Sequence, residues 1–402
     1  MSRILPRFDF RVDIAAESII GKVREKNEDA LLVAPDHALF GVADGMGGLS
    51  SGELASRLAL EIVKEHISAK PATRTLEDYV KAPTLENRRR VFDLLRDAVG
   101  AAHARLVEEQ ESRGEPMGTT LDLCLFVREK AFVAHVGDGR VFLARSRATL
   151  QVTEDHLVHD PASARRPDDG KRTKTPRPLA SGVGLPVPLR VDVFPIDVRR
   201  GDTLVLASDG AYGPFETEAA ITAACKGPPR AIAEEMVRYS LAKGGRDNAS
   251  VVAIRVEDRF IARQEESPDR GLDAAALAQS PLFEGLPMSS LLGALACGIE
   301  VEVEAGHDVP AFDAGDLCAY LVLDGLVSLP DGTSLGPPAL LYPESLVGVD
   351  KPKRVLARAA ERLRGVRVRH DDFREVCQHD HALAGALYKR LATHLARLTP
   401  PA

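Results

Sequence analysis

Three times an apolar run in this chain ends in Asp-Gly: FGVADG closes on Asp44, AHVGDG on Asp138 and LVLASDG on Asp209. A run such as LVLA does not alternate with polar residues, which marks a strand covered on both faces. A chain built on such strands needs a packed layer on each side of its sheet. The dipeptide alone is ambiguous, because Asp-Gly is also a favoured tight turn. Asp324-Gly325 and Asp331-Gly332, further along, lie between alternating strands, where a turn is explanation enough. A fourth aspartate, Asp247 in GGRDNASVVAI, follows a Gly-Gly turn and stands just before a strand.

A carboxylate at the tip of a buried strand is costly without a cation, and no Lys or Arg recurs beside these four. Converging carboxylates repel one another until a metal ion neutralises them. Oxygen donors with no Cys or His nearby favour Mg²⁺ or Mn²⁺ over zinc. Arg24, in VREKNEDALLV with Glu28 and Asp29, adds a guanidinium able to grip a phosphate bidentately. A mixed-charge surface loop is the plainer reading of that stretch taken alone.

At 402 residues the chain has room for two or three domains. Alternation predicts strands on either side of GKVREKNED, then ALFGVAD as a third. Apolar spacing predicts helices over 52–67 and 85–111, with the segment holding Pro71 and Pro83 as a connection. Strands at LDLCLFVRE, KAFVAHVGDGRVFLAR and ATLQVTEDHL precede a proline-rich loop at 160–188. RVDVFPI, DTLVLASDG, a helix at AIAEEMVRYSLAKG and the strand NASVVAIRVE complete a domain spanning 8–257. A linker at 258–272 leads to a second unit, 273–398, of closely spaced strands and a closing helix pair. No internal repeat is present. A formal net charge of -7 argues against bulk nucleic-acid binding, and no apolar run of about 18 residues is long enough to span a bilayer. The isolated Cys124, Cys225, Cys297, Cys318 and Cys377 read as small buried hydrophobes in a reducing cytoplasm.

In order, VREKNEDA, FGVADGMGG, MGTTL, VGDGR, GDTLVLASDG and GGRDNASVVAI resemble the motifs of the metal-dependent, 2C-type (PPM-type) Ser/Thr protein phosphatases. The resemblance covers residues 8–257 and implies an α+β fold, a four-layer α-β-β-α sandwich with a metal centre at one end. It implies that Asp44 bridges two Mg²⁺ or Mn²⁺ ions, that the Gly45 carbonyl ligates one, and that Asp209 and Asp247 complete the first site. Glu28 and Asp29 would orient metal-bound waters, Arg24 would bind the substrate phosphate, and Asp138 matches the place of a third, weaker metal. Arg24, Asp44 and Asp209 are then the expected catalytic residues. Two adjacent cations would activate a bridging water for attack at phosphorus, so no Ser, Cys or His nucleophile is required. The implied partners are phosphorylated proteins, with a Ser/Thr kinase acting in opposition.

The chain departs from that pattern in places. Met46 stands where many eukaryotic members have a histidine and cannot donate a proton, which leaves leaving-group protonation to a metal-bound water. Gly213 replaces an acidic residue that helps to hold the third metal in some members, and GDGR stands for GDSR. The flap region is basic here (Arg165, Arg166, Lys171, Arg172), which predicts a preference for acidic or multiply phosphorylated substrates. A catalytically inactive phosphoprotein-binding module remains the rival reading of the same fold.

In the second unit SPLFEGLP, VEAGHDVPAFDAGDLCAYLVLDGLVSL and LGPPALLY resemble the cyclic-nucleotide-binding domain of bacterial regulators and kinases, a β-roll with flanking helices. In that resemblance Gly336-Pro337-Pro338-Ala339 puts Pro337 where a ribose-binding Glu opens a short helix. Lys353, with Arg354 adjacent, stands nearest the phosphate arginine. The expected ligand pocket of Gly336, Pro337, Lys353 and Arg354 is therefore degenerate, favouring regulation or protein contact over cyclic-nucleotide sensing. Cys377, His379 and His381 have metal-like spacing but read as a solvent-facing helix end.

Overall fold

The computed structural model describes residues 3–47, 51–145, 148–158, 178–259, 279–284, 286, 298–313, 316–349, 357–379 and 381–398. Its contacts divide the chain into two compact units, Met1–Arg263 and Gln264–Ala402.

The first unit runs β1 (Arg3–Ile4), β2 (Phe10–Ile19), β3 (Asp29–Ala34), β4 (Leu39–Gly47), α1 (Ser51–Ser68), α2 (Lys70–Lys81) and α3 (Leu85–Arg113). It continues through β5 (Met117–Thr119), β6 (Leu121–Val127), β7 (Lys130–Val136), β8 (Arg140–Arg145), β9 (Ala148–Gln151), β10 (Asp192–Asp197) and β11 (Thr203–Ala207). It closes with α4 (Asp209–Tyr212), α5 (Glu218–Ala224), α6 (Pro229–Ala242) and β12 (Ala249–Arg259). One sheet has the order β1-β2-β12-β11-β8-β9, the other β10-β7-β6-β4-β3 with β5 beside β4.

The layering follows from β11, where every residue is buried. Val205 and Ala207 pack with Ile232, Ala233 and Met236 of α6. Leu204 and Leu206 point the other way and are equally buried, because β4 of the second sheet lies across that face. On its outer side the second sheet carries α1 over β3 and β4, and α3 over β7. Helix, sheet, sheet, helix is the result, an α+β unit.

Two expectations need correction here. The supposed connection holding Pro71 is the helix α2, since a proline in the first turn costs no hydrogen bond and Ala72, Leu76 and Tyr79 form a buried stripe. β12 also runs on to Arg259, past the expected start of the linker.

The second unit comprises β13 (Gly298–Val303), β14 (Asp308–Val309), β15 (Phe312–Asp313), β16 (Asp316–Asp324), β17 (Val327–Ser328), β18 (Ser334–Leu335), β19 (Leu340–Leu341), β20 (Ala357–Ala359) and β21 (Leu363–Arg369). Two helices follow, α7 (His370–His379) and α8 (His381–Leu398). Its sheets are β13-β21-β16-β15, with β19 on β16, and β14-β20-β17-β18. Along β16, Cys318, Tyr320 and Val322 face a core with Val309, Val327, Tyr342 and Ala357, while Leu321 and Leu323 face Phe373, Leu387 and Leu391 of the helices. Tyr342 closes the interior: its hydroxyl donates to Val309 O and accepts the Ala357 N–H, both at 2.8 Å.

Gly336 and Pro337 do not open a short helix. Ala339 N–H bonds Gly336 O at 3.0 Å, closing a turn between β18 and β19, as suits a Pro-Pro pair with no N–H to give. The short 3-10 helix is Pro343–Val347, with Glu344 in its first turn. Lys353 and Arg354 lie outside the described residues, as do Cys297 and the side chains of His379 and His381. Cys377 is not solvent-facing but part of the helix-side core. Among the described residues no helix is long and apolar enough to cross a membrane.

Candidate active site

Antiparallel pairing sets Asp29 of β3 directly opposite Asp44 of β4. In the other sheet β11 and β12 are neighbours, so Asp209, which follows β11, and Asp247, which precedes β12, emerge at one end. Ser208 sews the two sheets together there. Its hydroxyl donates to Asp29 Oδ2 at 2.8 Å and accepts the Ser250 N–H at 3.0 Å.

The backbone of Asp44 is held from both sides. Its N–H donates to Thr120 Oγ1, and its carbonyl accepts from Thr119 Oγ1 and from the Thr120 N–H, each at 2.9 Å. These are the threonines of MGTT, whose role the sequence motif left unstated. Gly45 is obligatory. Its N–H bonds Glu28 O at 3.1 Å, and a Cβ would lie 2.0 Å from Gly52 O. A Cβ on Gly52 would in turn meet Glu28 Oε1 at 2.5 Å, so two glycines let Glu28 approach the Asp-Gly turn.

Asp44, Asp138 and Asp209 keep part of their surface open, yet protein surrounds their carboxyls closely enough that lost hydration dominates their chemistry. Burial pushes Asp44 well above the usual carboxylate range, and Asp29, Asp209, Asp247 and Asp138 push it further. Burial likewise raises Asp209, helped by Asp247 and opposed by a hydrogen bond to Asp44. Asp29 is raised to about 6, chiefly by burial, although the Ser250 and Ser208 hydroxyls favour its charged form. Burial, then Asp209 and Asp155, lift Asp138 to about 7. One oxygen each of Asp29 and Asp209 is buried with no hydrogen-bond partner.

Arg24 reaches this cluster through space. Its Nη2 and Nε contact the two oxygens of Asp247 at 2.8 Å each, a bidentate pair with both side chains partly in solvent. The Asp247 hydrogen bond raises Arg24 above its usual range. Both Asp247 oxygens are thus engaged, and Asp44 and Asp209 bond each other. Among the described residues no group of three or more His, Cys, Asp or Glu stands in an arrangement that could hold a metal. The donor chemistry nevertheless fits a hard divalent cation: all oxygen, mutually repelling, with orphaned acceptors that a cation would satisfy.

Asn248 is a site residue that sequence reasoning missed. Its Oδ1 accepts the Glu28 N–H at 2.8 Å, and its Nδ2 donates to Ile20 O and Lys26 O at 2.9 Å. One amide therefore fixes the whole loop that carries Arg24 and Glu28. An Asn after Asp reads as turn chemistry, which hid this function.

Asp138 rides on a clamped turn between β7 and β8. Gly137, at φ 109°, donates to His156 Nδ1 at 3.2 Å and accepts the His156 N–H at 2.6 Å. Tyr212 Oη donates to the Asp138 carbonyl at 2.7 Å, and Arg140, paired with Asp155 at 2.8 and 2.9 Å, sits 4.1 Å over the Tyr212 ring. Beneath lies a fully buried pair, Asp122 and His135 Nδ1 at 2.7 Å, with His135 Nε2 on Glu154 O at 2.8 Å. Burial alone would lower His135, but Asp122 outweighs it and raises it. The second oxygen of Asp122 is unpartnered and lies 1.9 Å from where a Cβ on Gly139 would be. That collision accounts for GDGR in place of GDSR: a serine there has no room. Asp122 and His135 were legible only as polar letters in otherwise apolar strands. Gly213, which caps α4, has no side chain to act as a donor. The basic residues Arg165, Arg166, Lys171 and Arg172 lie outside the described residues.

Residues 22–243 match the family described as Protein phosphatase 2C. The serine/threonine phosphatase Stp of Listeria monocytogenes is 28% identical over 243 residues, covering 58% of this chain and 92% of its own. The serine/threonine protein phosphatase PstP of Mycobacterium tuberculosis is 30% identical over 252 residues, 61% of this chain and 45% of that one. A crystal structure of the M. tuberculosis phosphatase PstP superposes with a TM-score of 0.52 at 26% identity, covering 61% of this chain and 99% of that one. With the match spanning more than half its length and including Arg24, Glu28, Asp29, Asp44, Asp138 and Asp209, the chain belongs to the protein phosphatase 2C family of serine/threonine phosphatases.

Proposed function

We propose that the first unit hydrolyses phosphoserine and phosphothreonine in proteins with two Mg²⁺ or Mn²⁺ ions held by Asp44, the Gly45 carbonyl, Asp209 and Asp247. Glu28 and Asp29 orient the surrounding waters, and Asp138 offers a weaker third position. The observation that carries this reading is the set of raised, mutually repelling carboxyls with orphaned oxygens at one end of the sandwich. The family is metal-dependent, and bound there the ions would supply charge neutralisation and a water acidic enough to attack phosphorus.

The chain's own residues do the rest. Arg24 exchanges the two oxygens of Asp247 for two of the phosphate, keeping its fork filled and freeing Asp247 as a ligand. Thr119 and Thr120 stop Asp44 from swinging, and Asn248 keeps Glu28 against Gly52. Water forms the new P–O bond, the bond from phosphorus to the Ser or Thr oxygen breaks, and that oxygen takes a proton from water because Met46 has none to give.

The second unit serves regulation or protein contact in this reading. Its support is the β-roll interior, already filled by Tyr320, Val327 and Tyr342. The protein then acts in the cytoplasm against a Ser/Thr kinase. The test is Mn²⁺-dependent phosphate release from a phosphothreonine peptide, alongside calorimetric Mn²⁺ titration. Asp209→Asn should lose about 10²- to 10³-fold in rate and bind Mn²⁺ more weakly, and cyclic AMP should change neither. Unaltered release by Asp209→Asn would end the metal-centre reading; peptide binding without any release by the natural chain would favour the inactive binding module.

A further inference from the structure

The geometry points to a cationic lip, formed by Lys22 and Arg246 beside the Arg24–Asp247 pair, that selects phosphopeptides with acidic residues next to the phosphorylated one. This substrate class rests on the phosphatase reading of the same site. The lip is two loops stapled into one surface. Lys22 N–H bonds Gly245 O at 2.7 Å, and Asn248 holds Ile20 O and Lys26 O on either side. Gly21, at φ 82°, has no room for a Cβ, which would lie 2.4 Å from Asp247 O and 2.7 Å from Gly245 O. The loops can meet so closely only through glycine.

The Gly-Gly turn carries the stem of each cation on one of its two glycines. A Cβ on Gly245 would sit 3.2 Å from Lys22 Cγ, and one on Gly244 would sit 3.7 Å from Arg246 Cγ. The stems of Lys22 and Arg246 thus lie along adjacent glycines, and both side chains are exposed. Elsewhere in the first unit arginines meet carboxylates, as Arg140 does Asp155, Arg145 does Asp202, Arg230 does Glu234 and Arg238 does Glu235. Among the described residues Lys22 and Arg246 have no such partner. Glu25 and Lys26 cancel in charge, and so do Arg24 and Asp247, so Lys22 and Arg246 are the two exposed positive charges set against the acids Glu28 and Asp29 of the same loop, in a chain whose net charge is -7. A phosphate taken by Arg24 would bring the flanking residues of its peptide beside them. Carboxylates or further phosphates there are the complementary chemistry, and long exposed cations favour them by charge with little demand for fit.

Two labelled phosphothreonine peptides test this, one with aspartates and one with serines flanking the phosphorylated residue. Anisotropy with the full chain before metal is added measures binding without turnover. The acidic peptide should bind about 3- to 10-fold tighter, the scale of two exposed ion pairs, with the ratio shrinking between 50 and 300 mM salt, roughly the span over which screening tightens. Lys22→Ala with Arg246→Ala should erase the ratio while leaving Mn²⁺-dependent turnover of p-nitrophenyl phosphate, too small to touch the lip, within about twofold. Equal binding of the two peptides, or a ratio that survives the double substitution, overturns the lip even if p-nitrophenyl phosphate is hydrolysed normally. Discrimination lost on substitution, in a chain that hydrolyses nothing, keeps the lip and removes the phosphatase reading instead.

Discussion

In the second unit Asp324 accepts the N–H of Gly325 at 3.0 Å and Asp331 that of Thr333 at 2.8 Å, both exposed to solvent. In the first unit Asp44, Asp138 and Asp209 precede glycine in the same way, but their carboxyls are crowded by one another and by protein. The Thr333 N–H holds Asp331 below its usual range, whereas burial drives the other three above theirs. One dipeptide thus has two fates. Where the backbone satisfies the carboxylate the pair is a turn; where a strand end carries it into a core already holding other acids, it becomes a place for a cation. The glycines alone do not separate the two fates: a Cβ on Gly332 would meet nothing, but one on Gly325 would lie 2.4 Å from Arg362 O, much as one on Gly45 or Gly210 would strike backbone oxygen at 2.0 or 1.9 Å.

Removing one charge from each region should separate them most sharply. Asp44→Asn is expected to lower phosphate release by about 10²- to 10³-fold and yet to raise the melting temperature of the chelated protein, because an amide relieves the repulsion. It should also abolish the further rise that Mn²⁺ gives the natural chain. Thermal melts with and without chelator check this. An Asp44→Asn chain that melts lower without metal and keeps its Mn²⁺ shift would dissolve the contrast.

Acidity tests the same contrast without mutation. The folded values of Asp29 and Asp138, about 6 and about 7, exceed the ordinary carboxylate value. From about pH 4 to about pH 7 the folded chelated protein therefore holds more protons than the unfolded chain, and stability falls as pH rises. Asp331 has the opposite sign, its small contribution being lost as pH falls. Mn²⁺ favours the deprotonated carboxylates and should flatten the decline. Urea melts of the chelated protein that strengthen steadily over this range would contradict the buried-carboxyl description.

Gly139→Ser sets a hydroxymethyl group against Asp122 and should cost about 1–3 kcal/mol, the usual range for overpacking. In an Asp122→Ser background, which itself loses the buried pair with His135, Gly139→Ser should add little further cost, a coupling that a double-mutant cycle in urea would measure. Additive losses would show that Asp122 is not what excludes the serine.

Much of the fold was legible because the first unit's outer strands alternate, its inner ones, such as β6 and β11, are apolar throughout, and its motifs arrive in order. Helix α2 was not, since Pro71 reads as a breaker unless its place in the first turn is known. At the site the aspartates announced themselves by following buried strands, and Arg24 by its neighbours Glu28 and Asp29. Its partner did not: Arg24 and Asp247 meet only because β2 and β12 pair. Thr119, Thr120 and Asn248 act through backbone groups, which leave no letter in the sequence. In the second unit Gly336-Pro337 gave no hint in sequence of the turn that Ala339 N–H closes on Gly336 O between β18 and β19.

The smallest effect belongs to the exposed turn. Asp331→Asn keeps an oxygen that can accept from Thr333 N–H and loses only a charge already in water, so the urea midpoint should be unchanged within error. Asp331→Ala removes the acceptor as well, but water can replace it at an exposed N–H, so the urea midpoint should fall only slightly. Neither should alter phosphate release or Mn²⁺ affinity. This near-silence is informative, because Asp331 and Asp44 share a residue type and a following glycine. A drop in activity from Asp331→Ala comparable to that from Asp44→Asn would mean that local sequence, and not burial among other acids, makes an Asp-Gly pair functional in this chain.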